Sequence, residues 1–189
     1  MRLLFALVQY FLLHPIETLK QVVCFFDLYF QLPLKIRKVG KGGIKRFGHI
    51  TASGLVIRGT KILLIRHPYI KKFIQPGGHI DSGEIPIQAA IREVFEETGW
   101  RCKPYQSTQR ILDLDIHLIP LNSSKNEGEH IHIDLCYLLE PIKYFPPAES
   151  LDSKRLDIEF IQSKRIQRAY QRAKVLVQAA KTSSNSVSS

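Results

Sequence analysis

The stretch Gly78–Trp100, GHIDSGEIPIQAAIREVFEETGW, places Glu93, Glu96 and Glu97 within five consecutive residues of a chain whose formal net charge is +10. Pro86 suits a first helical turn, the run to Thr98 holds no further proline or glycine, and Gly99 supplies a stop, so the spacing predicts a helix over 86–98. Ile87, Ala90, Ile91, Val94 and Phe95 fall on one side of it and face a core, while the three glutamates, related by i, i+3 and i+4, share another side. Like charges at that spacing oppose a helix by roughly 0.2–0.5 kcal/mol per pair, and they also meet the unfavourable end of the helix dipole. Arg92 and Arg101 offset part of this. Two readings stand: a solvated acidic face, or an oxygen-rich site for a hard divalent cation, Mg²⁺ or Mn²⁺, since no His or Cys joins the three carboxylates.

Outward from the helix the pattern changes to period two. ITASGLVI and KILLIR, separated by Arg58, Gly59 and Thr60, predict a β-hairpin, and QRILDLDIHLI and HIHIDLCYLL alternate as half-buried strands do. IEFI, residues 158–161, reads as a short strand. At 189 residues, 44% hydrophobic and 23% charged, the chain has the length and composition of one domain with an appended element. Cys24, Cys102 and Cys136 are odd in number and form no zinc or disulfide spacing, so they read as ordinary thiols in a reducing, cytoplasmic setting.

Gly78, Glu84, Arg92, Glu93, Glu96, Glu97 and Gly99, with Val94 and Trp100 in the two bulky apolar slots, resemble the signature of the Nudix hydrolases at every fixed position. The Pro-Gly-Gly approach in FIQPGGHIDSGE and the flanking strands extend the resemblance over roughly residues 48–165. It implies an α/β (α+β) Nudix fold, a mixed β-sheet sandwiched between α-helices, for a domain set at residues 46–181; outside the resemblance stand an N-terminal helical extension (1–45), read from its apolar and basic runs, and the tail TSSNSVSS (182–189), whose composition predicts disorder. It also implies divalent-metal-dependent hydrolysis of a nucleoside diphosphate linked to another group. By carry-over, Glu96 and Glu97 are the first metal ligands, Glu93 the third and the Gly78 carbonyl an extra one. Arg92 and Glu84 resemble the family's supporting pair, in which the arginine orients a carboxylate and the earlier glutamate fixes the loop.

A catalytic base outside the box is expected in a loop before a late strand, where Glu149 stands, with Asp152 as competitor and Glu127 and Glu129 in another loop. His130, His132 and Asp134 alternate along one strand, share a face and are candidates to line the substrate pocket, as is Arg66 at the end of KILLIR. Two histidines at i, i+2 also suit zinc, but no further ligands stand at a suitable spacing. His79 reads as a residue that holds its loop.

The basic excess belongs to the chain ends: residues 1–48 carry eight Lys/Arg against Glu17 and Asp27, and residues 154–189 carry eight against Asp157 and Glu159. The apolar run Leu3–Leu13 lacks a signal-peptide cleavage site and is shorter than the ~20 residues that span a bilayer. With the run Val22–Phe30 and the string Lys35, Arg37, Lys38, Lys41, it predicts two short helices that pack on the domain, form a homodimer interface, or lie on an anionic membrane surface. From Ser163 to Lys181 the stripe Ile166, Ala169, Tyr170, Ala173, Leu176, Val177, Ala180 predicts an amphipathic helix that covers the sheet or a partner. Its arginines read as a solvated cationic face, with RNA or a polyphosphorylated ligand as the alternative. The family's side motifs for coenzyme A, reduced dinucleotides and ADP-ribose are absent, which leaves a nucleotide or nucleotide-sugar pyrophosphatase. The alternatives are hydrolysis of RNA 5′ ends or dinucleoside polyphosphates, and a Nudix-fold module that binds nucleotides without turnover.

Overall fold

The computed structural model describes residues 2–16, 19–20, 48–121, 129–149 and 151–185. Cys24, Glu127, the second apolar run and the basic string 35–41 lie outside them. Helix α1 is Arg2–Leu13. The strands β1 (Gly48–Arg58), β2 (Lys61–Arg66), β3 (Phe73–Ile74) and β4 (Gly77–His79) precede helix α2 (Pro86–Thr98), after which come β5 (Trp100–Pro104), β6 (Asp113–Ile119), β7 (His130–Tyr144), β8 (Ser153–Asp157) and helix α3 (Lys164–Asn185).

All eight strands form a mixed sheet. Its spine is the parallel pair β1 and β7, in register from Gly48↔Ile131 to Val56↔Leu139. On its other edge β1 meets β4 through its first half (Ala52↔Gly78) and β2 through its end (Ile57↔Ile62), both antiparallel. β7 divides its free edge in the same way between β6 (Asp115↔Asp134) and β5. The β1–β2 hairpin forms where alternation and Gly59 predict it, with Gly59 at φ +64°. The IEFI stretch differs from expectation: the strand is Ser153–Asp157 and residues Ile158–Phe160 form a single 3₁₀ turn. β8 exhausts its pairing with β2 at Lys61↔Asp157, and past that point the Ile158 N–H turns to the Thr60 carbonyl at 3.0 Å.

Period two assigns the two faces of the sheet to two cores. Ala52, Val56, Leu114, Leu135 and Leu139 pack against Ile87, Ala89, Ala90 and Val94 of α2. Leu55, Ile62, Leu64, Cys136 and Leu138 face the other way, against Ile166, Ala169, Tyr170 and Ala173 of α3. The sheet is thus sandwiched between helices. Cys102 and Cys136 are buried, and burial pushes both thiols up to about 12, so they behave as small apolar groups.

α1 joins the first core through Tyr10, which is 2% exposed. Its hydroxyl accepts the Leu114 N–H at 3.2 Å and an Arg172 N–H at 2.6 Å, tying the first helix to β6 and α3. This part of the N-terminal segment packs on the domain, while Leu12, Leu13 and Ile16 on its far side stay exposed. No helix among the described residues is long and apolar enough to cross a membrane.

α3 departs from expectation twice. It runs to Asn185, past the start of the stretch expected to form the tail. Its arginines are also not a solvated face. Arg168 grips buried Asp113 through Nε and Nη2, Arg172 pairs with the same carboxylate, and Arg165 pairs with buried Asp134. Alternation places Asp113, Asp115 and Asp134 on the sheet face that α3 covers, and buried carboxylates require such partners.

Candidate active site

Helix α2 starts with Pro86 in its first turn, and Gln88 Oε1 accepts the Ile85 N–H at 3.1 Å, which satisfies one donor at the helix start. It ends at Gly99, whose φ of +75° is the left-handed conformation that glycine adopts without strain. The two ends fix the phase of the helix, and with it the direction in which each glutamate points.

Arg92 organises the carboxylates. Its Nε and Nη2 donate to the two oxygens of Glu84, each at 3.0 Å, and Nη1 donates to Glu93 Oε1 at 2.9 Å and Glu96 Oε2 at 3.0 Å. Nη2 also donates to the His79 carbonyl at 2.8 Å, so the same guanidinium holds the β4 end of the loop. Glu84 Oε2 accepts the Asp81 N–H at 3.1 Å, and Arg92 holds the Glu84 carboxyl below its ordinary range.

Glu97 is the most buried of the group, at 8% exposure, and its Oε2 accepts the Gly77 N–H at 2.9 Å. Burial pushes its carboxyl up to about 8, against the lowering effect of the Gly77 N–H and with further upward pressure from Glu93, Glu149 and Glu96. Glu93 is pushed up for the same leading reason. Gly78 lies against the Glu93 carboxylate so closely that a Cβ there would stand 2.5 Å from Oε1, which explains the need for glycine at the first position of the motif.

Glu149 reaches this cluster through backbone pairing. The Phe145 N–H donates to the Gly99 carbonyl at 2.8 Å and the Glu149 N–H to the Glu96 carbonyl at 2.9 Å, so the segment before β8 runs along the end of α2. The structure therefore gathers Glu84, Arg92, Glu93, Glu96, Glu97, Gly78 and Glu149. Arg66 is not in that set: it is exposed at the end of β2, its N–H donating to the Asp152 carbonyl at 2.8 Å.

His130, His132 and Asp134 do share a face, and it is the α3 face of the sheet. Asp134 is drawn inward, accepting Thr51 Oγ1 at 3.0 Å and Ser53 Oγ at 2.6 Å beside its pair with Arg165, so its carboxylate serves the interior instead of a ligand. His132 stands among other imidazoles, and burial followed by His49, His130, His117 and His79 pushes it down to about 3. His49 and His117 were missed from the sequence because each stands alone in it and only strand register brings them to His132.

The NUDIX domain model matches residues 48–162. The chain is 41% identical over 100 residues to a probable DHNTP pyrophosphohydrolase of Lactococcus lactis, covering 53% of this chain and 58% of that protein. It is 38% identical over 53 residues to an ADP-ribose pyrophosphatase of Methanocaldococcus jannaschii, covering 26% and 31%. The chain thus spans a little over half the length of the first of these relatives and under a third of the second. In fold it is similar to a UDP-X diphosphatase (TM-score 0.52, 16% identity, 76% of this chain and 70% of that one). It is similar too to a NUDIX hydrolase from Nitrosomonas europaea (TM-score 0.50, 19% identity, 68% and 89%). With the motif Gly78–Trp100 folded as loop and helix and the family model matched across the whole sheet, this chain belongs to the Nudix family.

Proposed function

We propose that the chain is a divalent-metal-dependent hydrolase that cleaves a phosphoanhydride bond in a nucleoside diphosphate linked to another group. The observation that carries this is the state of Glu97: buried, pushed up to about 8, and crowded by Glu93, Glu96 and Glu149. A fold gains nothing from collecting carboxylates that burial makes reluctant to ionise, unless a cation compensates them. The donors are all oxygens, which fits Mg²⁺ or Mn²⁺ and excludes a preference for softer ions at this spot. Glu93, Glu96, Glu97 and the Gly78 carbonyl would hold it. When bound, such a cation supplies positive charge to phosphate oxygens and lowers the pKa of water.

The chain's own residues have separate parts. Arg92 fixes Glu93 and Glu96 in one orientation while Glu84 holds the guanidinium, so the ligands are preorganised before substrate arrives. Glu149, exposed beside the glutamate cluster, is the group to take a proton from attacking water. The products would be a nucleoside monophosphate and the phosphorylated remainder, or pyrophosphate if the substrate is a triphosphate.

The substrates to try first are nucleoside triphosphates and NDP-sugars, with DHNTP and ADP-ribose added because two relatives are named for them. The test is turnover of that panel with Mg²⁺ or Mn²⁺, products identified by mass spectrometry, beside Glu96→Gln. Metal-dependent product formation that Glu96→Gln abolishes is the expected result. Nucleotide binding without turnover of any member of the panel would instead favour the binding-module reading.

A further inference from the structure

On the face of the sheet away from α2, five histidines converge. His117 on β6, His132 on β7 and His49 on β1 are Cα partners in one row across three adjacent strands. His130 stands two residues before His132 on the same face, and His79 on β4 pairs with Thr51, two residues beyond His49. The ring centroids of His49 and His132 lie 4.5 Å apart, those of His49 and His130 4.9 Å, and those of His130 and His132 4.9 Å. One ring nitrogen from each of His49, His130 and His132 lies within 4.8 Å of the other two. His79 Nε2 is 2.6 Å from His49 Nε2.

We propose that His49, His130 and His132 form a second metal site, separate from the glutamate cluster, for a borderline transition-metal dication such as Zn²⁺, with His79 standing where a fourth ligand enters. Three observations support it. The donors are imidazole nitrogens, which suit Zn²⁺ and its neighbours and are poor ligands for Mg²⁺. Rings from strands far apart in sequence bring their nitrogens together, His130 Nε2 3.0 Å from His132 Nε2 and His79 Nε2 2.6 Å from His49 Nε2, contacts that one shared dication would replace. A tetrahedral site with bonds of about 2.0–2.1 Å needs nitrogens roughly 3.4 Å apart, so nitrogens that now lie within 4.8 Å of one another must draw in by at most about 1.4 Å, which imidazoles can do by side-chain rotation. His117 adds an outer layer: its Nδ1 is 3.0 Å from Asp115 Oδ2 and its ring meets His132 edge-on at 5.7 Å.

The site lies next to the hydrolase machinery in sequence but on the other side of the sheet. His79 follows Gly78, and its carbonyl is held by Arg92. Occupation would fasten β1, β4 and β7 together at the end where β4 delivers Gly78. The consequence is a chain that carries two chemically different cations, one on oxygen and one on nitrogen.

The experiment uses tag-free full-length protein stripped with EDTA and titrated with Zn²⁺ by calorimetry, in the presence of excess Mg²⁺ to fill the glutamate site. One equivalent of Zn²⁺ is expected, unchanged in Glu93→Gln/Glu97→Gln and at least tenfold weaker in His49→Gln and in His130→Gln. Absence of Zn²⁺ binding to the wild type, or loss in the glutamate variant with retention in both histidine variants, overturns the proposal. A measurement on the wild type alone guards against misfolded variants: Co²⁺ should give the intense visible bands of a four-coordinate nitrogen site, and a weak six-coordinate spectrum overturns it.

Discussion

The guanidinium of Arg92 grips both oxygens of Glu84, Nε on Oε1 and Nη2 on Oε2, each at 3.0 Å, and its remaining nitrogen spans Glu93 and Glu96. Lysine presents a point charge and cannot reproduce that fork. Arg92→Lys should therefore lower kcat by about 100-fold and stability by roughly 1–3 kcal/mol, the range for hydrogen bonds to charged groups. Steady-state kinetics beside a urea melt checks both, and an unchanged kcat would remove Arg92 from the positioning role.

Gly78→Ala would drive a Cβ into the Glu93 carboxylate, 2.5 Å from Oε1. The carboxylate is the far end of a flexible side chain and can swing away, so the fold should survive with a Tm within a few degrees. Mn²⁺ affinity, read by electron paramagnetic resonance, should fall at least tenfold.

Glu97 sets a pH dependence for the metal-free protein. Its carboxyl is raised to about 8 in the fold by burial and by Glu93, Glu149 and Glu96, against the Gly77 N–H, whereas in the unfolded chain it ionises near the ordinary 4.5. Between those values the folded state binds the extra proton, so stability falls as pH rises from about 4.5 to 8 and then levels. In EDTA, Glu97→Gln should be more stable than wild type at pH 8, on the order of 1–3 kcal/mol, and equal to it at pH 4.5. Saturating Mg²⁺ should reverse the order at pH 8. Thermal melts across pH with and without Mg²⁺ measure it.

Asp113 is 1% exposed and pairs with two arginines of α3. Asp113→Ala leaves Arg168 and Arg172 partly buried without that partner, which should cost about 3–5 kcal/mol. For a domain of this size that is roughly a 10 °C loss in Tm. Replacing Asp113 together with both arginines by apolar residues should recover most of it.

Tyr10→Phe keeps the ring in the first core but removes the hydroxyl that Leu114 N–H and Arg172 share. Arg172 keeps its pair with Asp113, but the Leu114 N–H loses its acceptor, which should cost about 1–3 kcal/mol, and amide exchange at Leu114 should speed up. A loss near zero would mean that α1 only rests on the sheet.

Local pattern carried much of this protein into view. The helix 86–98, the β1–β2 hairpin and the amphipathic C-terminal helix follow from period and turn chemistry, and the seven fixed positions of the motif are read from their resemblance to the Nudix signature. Where the sequence reading failed, at IEFI and at the arginines of α3, the deciding partners sat elsewhere in the chain: the end of β2 for Ile158, and the aspartates of β6 and β7 for Arg165, Arg168 and Arg172.

The sequence by itself determined the α2 box, because a helix places i, i+3 and i+4 on one side whatever surrounds it. Only the tertiary structure decided what meets that helix and the sheet. Glu149 reaches Glu96 because the segment after β7 pairs with the helix end, and His49 reaches His132 because β1 and β7 lie parallel in one particular register. Such register is set by the summed burial of both sheet faces, where a slip of one residue would send every histidine and aspartate to the other side. No short stretch of sequence contains that information.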